Sequence, residues 1–166
     1  MLDEVLQWID PRPGAVIVDG TLGGGGHTAA LAERVGTSGR VVALDRDPEA
    51  VDLARRSLAG LSVELVHASF CDLPEVLAGM AVAAVDGVVL DLGVSSLQLA
   101  DRQRGFSFSA EGPLDLRFDP TAGQPAWRLL ERLSAEHLAD LIYRYGEERY
   151  SRRIARAVVQ ARRSGP

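Results

Sequence analysis

The feature that most constrains this chain is a run of four consecutive glycines, Gly23–Gly26, between a short apolar segment and an alanine-rich helical pattern. The apolar segment, residues 15–18, is rich in β-branched residues and is followed by Asp19. This order predicts a strand, a glycine loop and a helix. Glycines allow positive φ and close approach of a ligand to the backbone, and the helix start presents unpaired N–H groups. We therefore expect a ligand site at this loop.

Two classes of cofactor use such a loop. Dinucleotides call for the pattern G-x-G-x-x-G or its relaxed form ending in Ala, and only the frame that starts at Gly24 and ends at Ala29 fits it. The Asp19 carboxylate would repel a pyrophosphate, but it can accept hydrogen bonds from an ammonium or a hydroxyl group. S-adenosylmethionine carries an amino-acid group and no phosphate. The loop therefore favours S-adenosylmethionine, and a nicotinamide cofactor stays open as the alternative.

The composition limits the class of protein. Hydrophobic residues make up 46% of the 166 residues, and no apolar run reaches transmembrane length, so we expect no membrane segment. Residues 1–9 contain acids and do not resemble a signal peptide. The single cysteine, Cys71, allows no internal disulfide, which favours a cytoplasmic location. One cysteine and three scattered histidines give no support for a metal site.

Charge divides the chain into two parts. The net charge of −5 is the sum of −8 over residues 1–100 and +3 over residues 101–166. The regular alternation of strands and helices also stops after Gln98. We therefore predict a cofactor-binding domain over residues 1–99 and a helical substrate-recognition segment over residues 100–166.

The first part has the βα order of a doubly wound α/β fold. A Rossmann-like parallel sheet with strand order 3-2-1-4 is expected. The predicted strands cover residues 15–18, 40–44, 61–67 and 85–93. The predicted helices cover residues 2–9, 27–34, 48–58 and 73–80 in the first part, and 125–132, 134–145 and 147–163 in the second.

Acidic residues stand at the carboxyl ends of the predicted strands. Asp45 ends the second strand 19 residues beyond Gly26, where an acid can accept both hydroxyls of a ribose. Asp47, followed by Pro48, is expected to cap the next helix. Strands one and four flank the switch point of the sheet, so Asp19, the glycine loop and Asp91 should converge there.

Two further features leave alternatives open. Phe70, after the third strand, could pack on a purine ring or belong to the core at the sheet edge. In the second part, arginines alternate with aromatic residues, and the last helix places Tyr150, Ile154, Val158 and Ala161 along one side. Such a surface suits RNA, but it could equally be a solvated helix face.

Several blocks of the sequence together resemble the RsmH family, also called MraW. They fall in the family's order along nearly the whole chain. The blocks are Asp19-Gly-Thr-Leu-Gly-Gly-Gly-Gly-His27, Asp91-Leu-Gly-Val-Ser-Ser-Leu-Gln98, Arg104-Gly-Phe-Ser-Phe108, Gly112-Pro-Leu-Asp-Leu-Arg117 and Tyr145-Gly-Glu-Glu148. Members of this family transfer a methyl group from S-adenosylmethionine to the exocyclic N4 of a cytidine in small-subunit ribosomal RNA.

The resemblance implies roles for particular residues. Cofactor contacts would come from Gly25, Gly26 and His27 in the loop, Asp45 on the ribose, Phe70 near the adenine, and Asp91 and Gln98 closing the site. From the loop itself we add Asp19 and Gly24. Asp91 is the candidate catalytic residue, because a hydrogen-bond acceptor aimed at the cytosine amino group would favour its reactive, pyramidal form. A donor-binding module without catalysis is the alternative.

Family members are nearly twice as long as this chain and continue with further strands. We therefore expect the C-terminal half to be missing here and the fourth strand, at Val88, Val89 and Leu90, to form an open edge. Open edges recruit other chains, so self-association through this edge or by exchange of the helical segment is expected. Ribosomal RNA or the small ribosomal subunit is the expected partner.

Overall fold

The computed structural model describes residues 1–162, in two compact units, Met1–Ala100 and a second that begins at Asp101. The strands of the first unit are β1 (Val16–Asp19), β2 (Arg40–Asp45), β3 (Val63–His67) and β4 (Gly87–Val89). Its helices are α1 (Leu2–Ile9), α2 (Gly26–Val35), α3 (Pro48–Ser57), α4 (Leu73–Gly79) and α5 (Ser96–Ala100), with a 3₁₀ turn at Phe70–Asp72. The second unit contains α6 (Ala126–Arg132), α7 (Ala135–Gly146) and α8 (Ser151–Ala161). Within the described residues, none of the helices is long and apolar enough to span a membrane.

The four strands form one parallel sheet in the order β3-β2-β1-β4, as the sequence predicts. Side chains of a strand alternate between the two faces of a sheet. Ile17 and Val41 pack on one face with α1 and α2, whereas Val18 and Val42 pack on the other face with α4. Asp19 therefore shares the face of Ile17, and this directs its carboxylate towards α2.

Strand β4 is shorter than the apolar run predicts. Only Gly87–Val89 pairs with β1, and Val88 and Leu90 are 41% and 46% exposed. These two side chains are therefore not buried. They lie at an open edge of the described sheet, and the self-association expected there stays a prediction. The short helix α5 was also missed, because five residues are too few for a periodic signal.

The second unit is built on the packing of α7 against α8. Leu138 and Ala139 of α7 contact Ala155 of α8, and Ser134 caps α7 by accepting a hydrogen bond from the His137 amide. The last helix, α8, is buried along only part of its surface. Its buried residues are Ser151 and Ala155, while Ile154 is 40% exposed. The helix also begins at Ser151 and not at Glu147, which is the left-handed C-cap of α7.

Two arginines hold the irregular segment before α6. The buried Arg104 donates hydrogen bonds to the carbonyls of Arg117 and Phe118, at 3.1 and 2.7 Å. The Arg117 guanidinium binds both carboxylate oxygens of Asp115, at 2.8 and 2.7 Å, and lowers the pKa of that carboxyl. Gly105 has a positive φ of 72° and lies too close to the Pro113 carbonyl to carry a side chain. The two sequence blocks around Arg104 and Arg117 are thus two sides of one folded loop.

Candidate functional site

Asp19 organises the start of the site from inside the fold. Its side chain is fully buried, and its carboxylate accepts hydrogen bonds from the Thr28 hydroxyl at 2.6 Å and from the Thr21 amide at 3.0 Å. Burial raises the pKa of Asp19, and the hydrogen bonds from Thr28 and Thr21 oppose that rise. The structure therefore ties the end of β1 to both the glycine loop and α2. Direct contact of Asp19 with a ligand stays a prediction.

The four glycines differ in what their positions demand. Gly23 and Gly25 have positive φ values of 49° and 79°, and Gly25 is the N-cap of α2, packed against Leu58. Gly24 and Gly26 are exposed, and a Cβ atom at either would meet nothing within 4 Å. The fold thus explains glycine at two positions. At the other two, the open space beside the backbone is room for a ligand.

Asp45 fixes the glycine loop against β2. Its Oδ2 accepts a hydrogen bond from the Gly23 amide at 2.8 Å, and its Oδ1 accepts one from the Asp47 amide at 2.9 Å. The loop is also held by the Leu22 amide, which donates to the Leu44 carbonyl at 2.9 Å. The carboxylate is partly exposed at the carboxyl end of β2. It thus reaches the position that the sequence predicts, beside the loop.

The loop after β4 meets the glycine loop, as expected of strands that flank the switch point. The Asp91 amide donates to the Thr21 hydroxyl oxygen at 2.7 Å. The Asp91 carboxylate is 3.8 Å from Nδ1 of His27, at the start of α2. This carboxylate is 49% exposed, whereas the His27 side chain is 18% exposed. Asp91 therefore presents an open carboxylate beside the loop.

Phe70 lies next to the end of β1, although it follows the distant strand β3. A Cβ atom at Gly20 would lie 3.1 Å from the Phe70 Cβ and 2.5 Å from the Leu90 side chain. Gly20 thus lets side chains from two loops approach each other. Phe70 is 37% exposed, so it is not a core residue. Its contact with an adenine ring stays a prediction.

Gln98 is 5% exposed and points away from solvent. Its Nε2 donates to the Asp47 carboxylate at 3.0 Å, and its Oε1 accepts from the Ser95 amide at 3.1 Å. Both ends of the side-chain amide are therefore engaged within the protein. The cofactor contact implied for Gln98 stays a prediction, and the structure shows first of all a link between α5 and α3.

Sequence reasoning missed two threonines that hold the site together. Thr28 anchors Asp19, and Thr21 joins Asp19 to the Asp91 backbone. The only available signal was the position of both residues within one glycine-rich block that starts at an acid. Among the described residues, no three His, Cys, Asp or Glu side chains lie together as ligands for a metal ion.

All of residues 1–166 match the MraW methylase family. The chain belongs to the MraW methylase family.

Curated relatives extend the MraW likeness to named proteins. Ribosomal RNA small subunit methyltransferase H of Sorangium cellulosum (strain So ce56) is 53% identical over 98% of this chain and 51% of its own. The protein of the same name from Syntrophotalea carbinolica is 49% identical over 100% of this chain and 54% of its own. A solved putative rRNA-methylase from Clostridium thermocellum aligns with 57% of this chain and 55% of its own, at 26% identity and a TM-score of 0.48. This MraW chain spans about half the length of the curated relatives it matches.

Proposed function

We propose that this chain binds S-adenosylmethionine through its first unit and forms part of an enzyme that methylates the exocyclic N4 of a cytidine in small-subunit ribosomal RNA. The observation that carries the proposal is the meeting of the glycine loop, Asp45 and the open Asp91 carboxylate at one edge of the sheet. The names of the two curated relatives, which state a small-subunit rRNA methyltransferase, supply the substrate class.

The donor lies against the glycine loop in this proposal. The open space at Gly24 and Gly26 admits the methionine part of the donor close to the backbone. Each Asp45 oxygen already accepts one hydrogen bond and retains a lone pair for a ribose hydroxyl. Phe70 borders the adenine. Asp19 acts from within, by fixing the loop through its threonine partners.

The Asp91 carboxylate acts on the target nitrogen. It accepts a hydrogen bond from the cytosine amino group, which localises the nitrogen lone pair and makes the nitrogen pyramidal. That lone pair attacks the methyl carbon in line with the carbon–sulfur bond, which breaks to leave S-adenosylhomocysteine. The proton lost from nitrogen passes to Asp91 or to solvent. The cytosine must leave its stack to reach the carboxylate.

The RNA lies against exposed aromatic side chains of the second unit. Tyr143, Tyr145 and Tyr150 are 61%, 82% and 53% exposed, and the Arg149 guanidinium lies 4.7 Å from the centre of the Tyr150 ring. Exposed rings can stack on unpaired bases, and arginines can bind phosphates. We place the reaction in the bacterial cytoplasm, where the small subunit is assembled. The Tyr145→Ala substitution should weaken RNA binding without changing donor affinity.

Methyl transfer from labelled S-adenosylmethionine to small-subunit RNA tests the proposal. Asp91→Asn should lower the turnover at least about 100-fold, because the neutral amide is a weaker acceptor. Donor affinity should fall much less, because the amide oxygen can still accept a hydrogen bond from the donor. Asp52→Asn is the matched control, since Asp52 is an exposed acid of α3 that pairs with the nearby Arg55. Equal turnover by the Asp91→Asn variant and the unsubstituted chain would refute the catalytic assignment. Donor binding without any transfer would instead support a non-catalytic donor-binding module.

A further inference from the structure

Asp47 has more bonds at the site than a helix cap requires. It is 3% exposed, and it caps α3 as predicted, because its Oδ1 accepts a hydrogen bond from the Glu49 amide at 3.1 Å. Its second oxygen, Oδ2, accepts the hydrogen bond from Nε2 of Gln98 at 3.0 Å. A serine or threonine could cap the helix, but it has one side-chain oxygen and so could not offer a separate oxygen to each donor. Capping therefore does not explain the hydrogen bond that Oδ2 accepts from Gln98.

The bond to Gln98 completes a continuous path of hydrogen bonds across the site. The Asp47 amide donates to Asp45, and Asp45 in turn accepts from the Gly23 amide in the glycine loop. On the other side, Gln98 accepts from the Ser95 amide in the segment after β4. Through these bonds the glycine loop, the end of β2, the start of α3 and the start of α5 are fixed relative to one another.

The path brings its two ends together in space. A Cβ atom at Gly23 would lie 3.9 Å from the Cβ of Ser95, so the segment after β4 lies against the glycine loop. This segment begins with Asp91 and contains few other fixed points, since Leu92 and Val94 are 66% and 41% exposed. Its placement depends on Thr21 at one end and on the buried pair of Asp47 and Gln98 at the other.

We propose that Asp47 is a positioning residue of the donor site, which acts through Gln98 to hold the segment 91–98 against the glycine loop. The proposal rests on the proposed function for the identity of the donor. A charged acceptor in a buried place makes a stronger hydrogen bond than a neutral one. The bond also orients the Gln98 amide, because the reversed amide would direct an oxygen at the carboxylate and an NH₂ group at the Ser95 amide.

Exchanging the acceptor and the donor between the two residues tests the pair. Asp47→Asn retains a good helix cap but directs an NH₂ group at the NH₂ group of Gln98. Gln98→Glu directs a second carboxylate at Asp47. Combining the two substitutions restores one donor and one acceptor. The readouts are the Kd for S-adenosylhomocysteine by calorimetry and the hydrogen exchange rate of the Ser95 amide.

Each single substitution should raise the Kd about tenfold, the size expected for loss of a buried, charge-assisted hydrogen bond, and the double variant should return to within about threefold of the unsubstituted chain. Exchange at Ser95 should quicken in Asp47→Asn and slow again in the double variant. Exchange within α3, at Val51 and Ala54, should stay unchanged, because the cap is retained. This pattern separates positioning of the segment from a general loss of stability.

Two results would overturn the proposal: an unchanged Kd and Ser95 exchange rate in Asp47→Asn, or effects in the double variant that equal the sum of the single ones. If the unsubstituted chain does not bind S-adenosylhomocysteine, the proposed function fails. The hydrogen exchange rate of the Ser95 amide then decides alone whether Asp47 positions the segment, since that measurement needs no ligand.

Discussion

The main-chain amide of Asp91 donates a 2.7 Å hydrogen bond to the hydroxyl oxygen of Thr21. Thr21 also binds Asp19 through its own amide, at 3.0 Å. One residue of the glycine loop thus joins the ends of β1 and β4, the two strands that flank the switch point. The position of the candidate catalytic carboxylate depends on this hydroxyl, and the expected effect of removing it can be measured.

Thr21→Val removes the hydroxyl at nearly constant side-chain volume. It leaves the Asp91 amide without its acceptor and should lower the free energy of unfolding by about 1 kcal/mol. The same change should lower methyl transfer more than donor affinity, because the carboxylate loses its anchor. Thr121→Val is the matched control: it removes an exposed threonine hydroxyl that donates to Asp119 at 2.6 Å. Equal losses of transfer in the two variants would contradict the role of Thr21.

The glycine loop should separate requirements of folding from requirements of binding. Gly25→Ala places a side chain at a φ of 79° and should destabilise the fold by about 1 kcal/mol or more. Gly24→Ala and Gly26→Ala meet open space and should leave the free energy of unfolding unchanged or slightly higher. They should nevertheless weaken donor binding. Denaturant unfolding measures the free energy of unfolding, and calorimetry measures donor affinity. Full donor affinity in both Gly24→Ala and Gly26→Ala would show that the ligand does not lie on this side of the loop.

The buried Asp19 predicts a definite dependence of stability on pH. Burial raises its pKa in the folded protein, so the folded state holds this proton more tightly than the unfolded state does. Its contribution to stability therefore falls as the pH rises from about 4, the ordinary value of an aspartate, through the raised folded pKa. Asp19→Asn lacks this titration. The stability of the variant relative to the unsubstituted chain should increase with pH across this window, as measured by denaturant unfolding at several pH values. A constant or decreasing difference would contradict the raised pKa.

Arg104 should be irreplaceable by lysine. One nitrogen of its buried guanidinium, Nη2, donates to the carbonyls of Arg117 and Phe118, and the ammonium of the shorter lysine side chain would lie short of that position. Arg104→Lys should destabilise the second unit by about 1–3 kcal/mol. Arg128→Lys provides the control, because Arg128 makes an exposed 3.5 Å pair with Glu131. The prediction fails if the two variants unfold at the same denaturant concentration.

The sequence predicted the structure correctly where a local pattern also determines the position of a residue in the fold. The strand order follows from the βα alternation, and acids at strand ends necessarily gather at one edge of a parallel sheet. Asp45 and Asp91 therefore lie beside the glycine loop as predicted. Asp47 was correctly interpreted as a cap because its local pattern, an acid followed by proline, is sufficient.

The sequence was less informative where the outcome depends on tertiary contacts. Nothing in the spacing of Asp47 and Gln98, 51 residues apart, indicates that they meet. Val88 and Leu90 belong to the predicted apolar strand, yet they are 41% and 46% exposed, because burial depends on a neighbouring element that the apolar pattern does not specify. In α8, the small residues Ser151 and Ala155 are the buried ones, whereas Ile154 is 40% exposed, and spacing alone does not distinguish them.

The most direct test of the account is calorimetric titration of the chain with S-adenosylhomocysteine, with NADH titrated in parallel. The account predicts binding of S-adenosylhomocysteine at one site with a Kd of roughly micromolar order, and no comparable binding of NADH. Folded chain that binds no S-adenosylhomocysteine, or that binds NADH more tightly, would contradict the assignment of the glycine loop, Asp45 and Asp91 to a methyl-donor site.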